Sequence, residues 1–303
     1  MGYKTIKPLI YDSFECKADK CEHTCCQGWE IDIDKNTLEI YDNLSGELGD
    51  KIRSNIAETS EGYSFKLTKD ERCPMLDANG LCEIIKQKSE DFICDICDLH
   101  PRFFGDIDDV ELIGTGLSCE KTCELLEACD ELLFNCSESV VEEGEVTIDT
   151  TTISFEDVVS HIGLNLDKSD LVFMSTNFEP EKNKKNLDLM EQTEPIDDKW
   201  PEQIKYLKKR LSDITAEEKV VFESNTDNYY EKIYQYILYR QLERIAFCSK
   251  KDEKNSIIRY VIMSTCFIKL WDVFDGRDIE HVRRWSEQIE YSTENVEYLI
   301  ANK

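Results

Sequence analysis

Apolar and polar positions along this 303-residue chain change rhythm twice. Before residue 136 the patterns are short. Residues 3–14 form a mixed lead-in that suits an extended segment, and residues 30–34 alternate like a half-exposed strand. Asp34 is placed to cap a helix carrying Leu38, Tyr41 and Leu44 on one face. Gly46 and Gly49 break that helix, although Leu48, Ile52 and Ile56 continue its spacing. Tyr63, Phe65 and Leu67 alternate with period two, as a strand does. Asn79 and Gly80 then signal a turn, and a hairpin-like reversal there returns Cys82 toward Cys73. Residues 83–90 read as helix, and Pro101 disfavours helix at His100. Ser118 is placed as N-cap of a helix running through Cys119, Cys123, Leu126, Cys129 and Leu133 to about Cys136.

Residues 137–199 lose this order. They are acidic and polar, with isolated apolar patches at 153–159 and 171–174, and read as an irregular connection with one or two short elements. From Pro201 the helical period returns in Ile204, Leu207, Leu211 and Ile214. Asp227 or Asn228 can cap a long helix over 229–248, apolar on more than one face. Asn255 can cap another over 256–274, a third starts near Asp278, and Thr293 can cap a last one. The expected fold is mainly α within an α+β class. A cysteine-rich metal-cluster domain with short strands and a hairpin (1–136) is followed by an acidic connection (137–199) and an all-helical bundle (200–303).

Charge narrows the partners. A net charge of −28 opposes general nucleic-acid binding and adsorption to anionic membranes. Such a surface attracts lysine-bearing segments, but its commoner effect is solubility. The most apolar stretch, 257–274, contains Arg259, Lys269 and Asp272, which suits a buried helix of a soluble protein and not a membrane span. The first residues lack the apolar core of a secretory signal and the hydroxyl residue that myristoylation needs at position 6. The expected compartment is the cytoplasm, where thiols stay reduced and metal or redox chemistry is the better default than disulfides.

Twelve of the fourteen cysteines precede residue 137. Cys16, Cys21, Cys25 and Cys26 fall within eleven residues, followed by Cys73, Cys82, Cys94, Cys97 and Cys119. Thiolate is soft and strongly donating, so converging cysteines select zinc or an iron–sulphur cluster over hard cations. A zinc ribbon presents two Cys-x2-Cys knuckles, whereas only Cys94 and Cys97 have that spacing here. The adjacent Cys25 and Cys26 suit two sites, or one ligand beside one packed neighbour. A redox dithiol at Cys94 and Cys97 is the weaker alternative, since no βαβ pattern surrounds it. In its helix's first turn, Cys119 gains thiolate character from the helix dipole. Cys123 and Cys129 deeper in that helix, and Cys248 and Cys266 in the bundle, read as small hydrophobes. His23 lies inside the cysteine cluster and His100 before Pro101, both as loop residues; His161 and His281 read as surface or helix residues. Arg102 is a candidate to neutralise clustered thiolates.

In order, Phe14-Glu-Cys-x4-Cys-x3-Cys-Cys-Gln-Gly-Trp29, Cys73-Pro-Met-Leu with Gly80-Leu-Cys82, Cys97-x3-Pro101-Arg102 and Leu117-Ser-Cys-Glu120 resemble the flagellin lysine-N-methylase (FliB) family. That family falls within the YkgJ-type cysteine-cluster proteins, and the motifs cover about residues 14–128. The resemblance implies an iron–sulphur protein, with a 4Fe–4S cluster, that transfers methyl from S-adenosylmethionine to lysine ε-amines of flagellin. It carries over Cys16, Cys21, Cys25, Cys26, Cys73, Cys82, Cys97 and Cys119, with Cys94 as a ninth candidate. Where Pro-Glu is expected after Cys119, this chain has Glu120-Lys121. The rival readings are a non-catalytic iron–sulphur or zinc-binding or metal-delivery protein whose helical half binds a partner, and a zinc-stabilised interaction module. No G-x-G-x-x-G follows a predicted strand, and the Cys-x3-Cys-x2-Cys triplet of radical enzymes is missing, Gly28 occupying its third position. Lysine methylation needs a neutral amine, hence a base or a desolvating pocket. The sequence identifies neither the base nor the methyl-donor site. Tyr230, Tyr234 and Tyr236 read as core before they read as a lysine channel.

Overall fold

Eight strands, counted among the described residues, build two sheets. In chain order they are β1 (Lys4–Pro8), β2 (Asp32–Ile33), β3 (Ile56–Glu58), β4 (Tyr63–Phe65), β5 (Arg102–Ile107), β6 (Val110–Thr115), β7 (Phe134–Glu142) and β8 (Glu145–Ile153). The computed structural model describes residues 3–60, 62–142, 145–173, 177–224 and 227–302. Helix outweighs strand, 53% against 15%, so the mainly helical α+β class expected from the sequence holds.

The chain divides into two compact units, Met1–Phe14 with Phe103–Lys303, and Glu15–Arg102. This partition differs from a cysteine domain ending at 136. Strands β6 and β7 both pair with β1, so residues after 102 join the N-terminal strand rather than the cysteine-rich loops.

In the larger unit the sheet order is β5-β6-β1-β7-β8. The central β1 runs parallel to β6 (Ile6 opposite Leu112) and antiparallel to β7 (Ile6 opposite Cys136). Helix 229–246 is fastened to this sheet. The Tyr239 hydroxyl bonds Ile6 O at 2.7 Å and Ile113 O at 3.0 Å, and Tyr236 Oη donates to Thr115 O at 2.7 Å. Tyr234 Oη donates to Asp170 O at 2.6 Å. Tyr234 and Tyr236 are therefore core residues.

Three expectations change here. The helix starting near residue 118 ends at Ala128, with Cys119 rather than Ser118 at its N-cap. Beyond it, Leu132, Phe134 and Cys136 are buried on alternate positions because the chain has become β7 beside β1. The segment 137–199 is not an irregular connection. It holds the β7–β8 hairpin, helix Phe155–His161 with a Ser154–Asp157 capping box, and helix Pro180–Glu191. Threonine-rich polar strands such as 147–153 carry little apolar signal, and pairing partners decide them. Leu171 and Phe173 of the second apolar patch are buried, while Met174 lies outside the described residues.

The C-terminal helices follow the pattern closely, as Lys199–Ser212, Tyr229–Ala246, Lys251–Asp275, Ile279–Ile289 and Thr293–Ala301. Their caps shift by a few residues: Glu253 bonds back to the backbone of Lys250, and Ser292 accepts from Asn295 N–H. Cys266 is buried, Cys248 only half-buried, and His281 is buried within its helix.

The smaller unit has the order β2-β4-β3 and its own core of Ile31, Ile33, Tyr41, Leu48, Ile52, Phe65, Met75 and Ile84. Helices Lys35–Asn43, Glu47–Ser54, Glu83–Gln87 and Asp95–Leu99 surround it. No helix of the described chain is long and apolar enough to cross a membrane.

Candidate metal centre

The smaller unit's core continues into thiols. Cys73 and Cys94 are buried within it, and Cys26, Cys82 and Cys97 pack half-buried against it. Local backbone pairing delivers each one. Cys73 N–H donates to Cys26 O at 2.8 Å, and Gly28 N–H to Glu71 O at 2.9 Å, so the Cys25–Cys26 loop lies along 71–73. Gly28 adopts φ +82°, a left-handed conformation that a side chain disfavours. The 73–82 reversal forms as expected. Asp77 N–H donates to Leu81 O, the Asp77 carboxylate accepts from the amides of Asn79 and Leu81, and Leu76 bridges Cys82. Cys94 and Cys97 share one turn, Cys97 N–H donating to Cys94 O at 2.9 Å.

Cys82 and Cys94 each stand at the N-cap of a short helix. The amides of Ile84 and Ile85 donate to the Cys82 sulphur, and that of Met75 to Cys73. Such N–H to sulphur bonds stabilise thiolate. Burial works the other way, raising Cys82 and pushing Cys73 up to about 12. Two thiols are drawn down instead. The hydrogen bond from Cys25 brings Cys26 to about 7 against its burial, with Thr24 and the Arg72 charge assisting. The hydrogen bond from Cys97 lowers Cys94, whereas Cys97 itself rises because it holds that proton and is buried. Tyr41, fully buried, turns its hydroxyl to Cys94 Sγ at 3.6 Å.

Asp34 fixes the Cys94 turn from outside. It accepts from Thr37 N–H at 2.9 Å, capping its own helix as predicted, and from Asp95 N–H at 3.0 Å. An open cleft of about 240 Å³ lies beside it, lined by Asp32, Asp34, Tyr63, Asp95 and Ile96. Trp29 donates to Cys25 O at 2.6 Å and stacks on His100, whose imidazole burial brings down to about 4.

Of the nine candidate cysteines, the structure thus gathers Cys26, Cys73, Cys82, Cys94 and Cys97, with Cys25 bonded at the edge. Cys16 is exposed and Cys21 half-buried, on either side of the turn Ala18–Lys20. Cys119 belongs to the larger unit. Arg102 donates to Asp98 O at 3.1 Å, and the cation acting on Cys26 is Arg72. The roles of Tyr41, Arg72 and the second bond of Asp34 were missed. Only Tyr41 carried a signal, a phenol on an otherwise aliphatic helix face.

All fourteen cysteines are free thiols. Among the described residues, no three Cys, His, Asp or Glu side chains close on one point as a finished metal cage. In chemistry the donors suit a soft metal: all five are sulphur, Cys73 and Cys94 buried and Cys26, Cys82 and Cys97 half-buried.

Fold and site together define a mainly helical α+β protein with a buried thiol cluster in a small unit of its own. The chain is similar to the flagellar biosynthetic protein FliU of Salmonella muenchen, 28% identical over 102 residues that cover 32% of this chain and 60% of that protein. It is likewise similar to the lysine-N-methylases of Salmonella typhimurium and Salmonella choleraesuis, each 26% identical over 109 residues, covering 32% of this chain and 25% of theirs. The matches therefore span between a quarter and three-fifths of these relatives' lengths. No protein-family profile and no solved structure matches the chain.

Proposed function

We propose that the chain is an iron–sulphur protein that transfers methyl groups from S-adenosylmethionine to lysine ε-amines, with flagellin as the protein substrate. The observation that carries the metal reading is the gathering of Cys26, Cys73, Cys82, Cys94 and Cys97 in one small unit. Several thiols that already share protons lose them together when a soft metal replaces those protons, so metal binding releases the burial penalty on each. The methyl-transfer reading rests on the distant similarity to lysine-N-methylases, and flagellin on the same relatives.

Four of these five thiols would hold the group, with Tyr41 and the amides of Met75, Ile84 and Ile85 supporting their charge. When bound, a cluster would supply iron and local charge within the smaller unit. The acidic chain favours approach of a lysine-bearing partner.

Anaerobically purified protein is expected to contain iron and acid-labile sulphide. Cys26→Ala and Cys73→Ala should lose both, whereas Cys248→Ala in the larger unit should keep both. Labelled S-adenosylmethionine should pass its methyl group to flagellin lysines. Unchanged metal in the first two variants overturns the ligand assignment, zinc without sulphide overturns the iron–sulphur reading, and unlabelled flagellin overturns the substrate.

A further inference from the structure

Away from the thiols, the larger unit buries a second polar constellation. His281 Nδ1 lies 2.6 Å from Asp272 Oδ1, and both residues are buried. Tyr230 donates to the other carboxylate oxygen at 2.9 Å, and Trp271 stacks on the imidazole with centroids 4.4 Å apart. Every position of this ring is thereby specified, as is its tautomer: a carboxylate acceptor at Nδ1 places the neutral proton there and leaves the Nε2 lone pair unused. Among the described residues Nε2 makes no hydrogen bond, and the side chain keeps 9% exposure. No hydroxyl or thiol bonds Nε2, so the pair has no nucleophile to activate and its available chemistry is proton transfer.

We infer that Asp272 and His281 form a proton-transfer site in which His281 Nε2 accepts a proton from a primary ammonium group. The inference rests on the lysine-methylation reading for the identity of that group. The surroundings suit an amine. One helical turn before Asp272, the Lys269 ammonium lies 4.9 Å from the Tyr230 ring centroid and 5.6 Å from that of Phe222, and burial lowers its pKa. Desolvation of an incoming ammonium would act in the same direction.

The step balances. R–NH3+ loses its proton to Nε2, and the resulting imidazolium is compensated by the Asp272 carboxylate. The freed nitrogen lone pair forms the N–C bond to the methyl of a sulphonium donor, and the S–C pair stays on sulphur as a thioether. The imidazolium then returns its proton to solvent. Asp272 acts here as a positioning residue, holding the tautomer.

The other groups about His281 do not compete for Nε2. Asp278 caps the His281 helix through Glu280 N–H, and Glu280 pairs with Arg283. On helix 120–128, packed against the same helix, the titratable and charged groups acting on Cys123 are Cys119, Arg283, Glu280 and Glu290.

Two measurements on the full chain test this. In 15N-histidine NMR of the neutral imidazole, His281 should show its proton on Nδ1 and a bare Nε2, and Asp272→Asn should disturb that tautomer. A proton resident on Nε2 in the wild type overturns the base assignment, whatever the enzyme does. In methyl transfer to a lysine peptide, His281→Gln should lose about 100-fold or more near pH 7. It should recover toward pH 10, where the lysine amine sheds its own proton. Undiminished transfer at pH 7, or a deficit independent of pH, overturns the base role and leaves the pair as a tie between helices. Wild-type protein that shows the expected tautomer but methylates no lysine overturns the methylase reading alone.

Discussion

Removing the Asp34 side chain tests how the cysteine unit is held in shape. One carboxylate caps two helices sixty residues apart in sequence, through Thr37 N–H at 2.9 Å and Asp95 N–H at 3.0 Å. Loss of a capping side chain costs about 1 kcal/mol, so Asp34→Ala, which uncaps both helices, should cost about 2 kcal/mol. The bond from the Thr37 hydroxyl is lost as well, and because Thr37 is buried this adds to the cost, so about 2 kcal/mol is the lower figure. The share that belongs to the Cys94 turn, about 1 kcal/mol, makes its opening about 5-fold more frequent. Amide hydrogen exchange should report this at Asp95 and Cys97, whose N–H groups lie in that turn, and denaturant melting should report the total. The two amides bond different oxygens, so Asp34→Asn, with one carbonyl acceptor, keeps one cap and should lose about half as much. Burial alone raises this carboxyl, but the bonds from Thr37 and Asp95 more than reverse it and hold the folded pKa low. The stabilisation is therefore complete above the ordinary aspartate range and fades as pH falls through the folded value. A loss below about 0.5 kcal/mol, the size of an ordinary surface change, or unchanged exchange at Asp95, refutes the double-cap account.

Three further predictions follow from the same kind of contact. Tyr239→Phe should destabilise the larger unit by about 1–2 kcal/mol, because Ile6 O and Ile113 O lose a buried donor; thermal melting of the variant checks it. In Gly49→Ala a Cβ would meet Leu44 O at 1.9 Å, and that carbonyl is pinned by Arg53 at 2.7 Å. The clash should outweigh the helix-propensity gain of about 1 kcal/mol, so urea unfolding should show a net loss. Asp77, brought to about 2 by its bond with Lys86, should make the 73–82 reversal acid-sensitive. Its contribution is present above about pH 4 and lost as pH falls toward 2, which exchange at Asn79 and Leu81 can follow.

The local pattern by itself determined the helical C-terminal half, the cap at Asp34, the 73–82 turn and the grouping of most thiols by type. Each of these depends on neighbours within a few turns of chain, where periodicity and turn chemistry are decisive. Tertiary structure alone decided that residues 103–136 leave the cysteine unit, because β6 and β7 find their hydrogen-bond partner in β1, whose pairing positions lie more than a hundred residues away. It also turned the polar 137–153 stretch into a hairpin, since strands are stabilised by what lies across the ladder. The same holds for the chemistry. Cysteine spacing raises the expectation of a soft-metal donor set, while packing brings Cys26, Cys73, Cys82, Cys94 and Cys97 of the nine candidates to one core and sets Cys119 in the other unit. Nothing along the chain marks His281, since its meaning comes from Asp272, and that contact exists only once two helices fold back on each other.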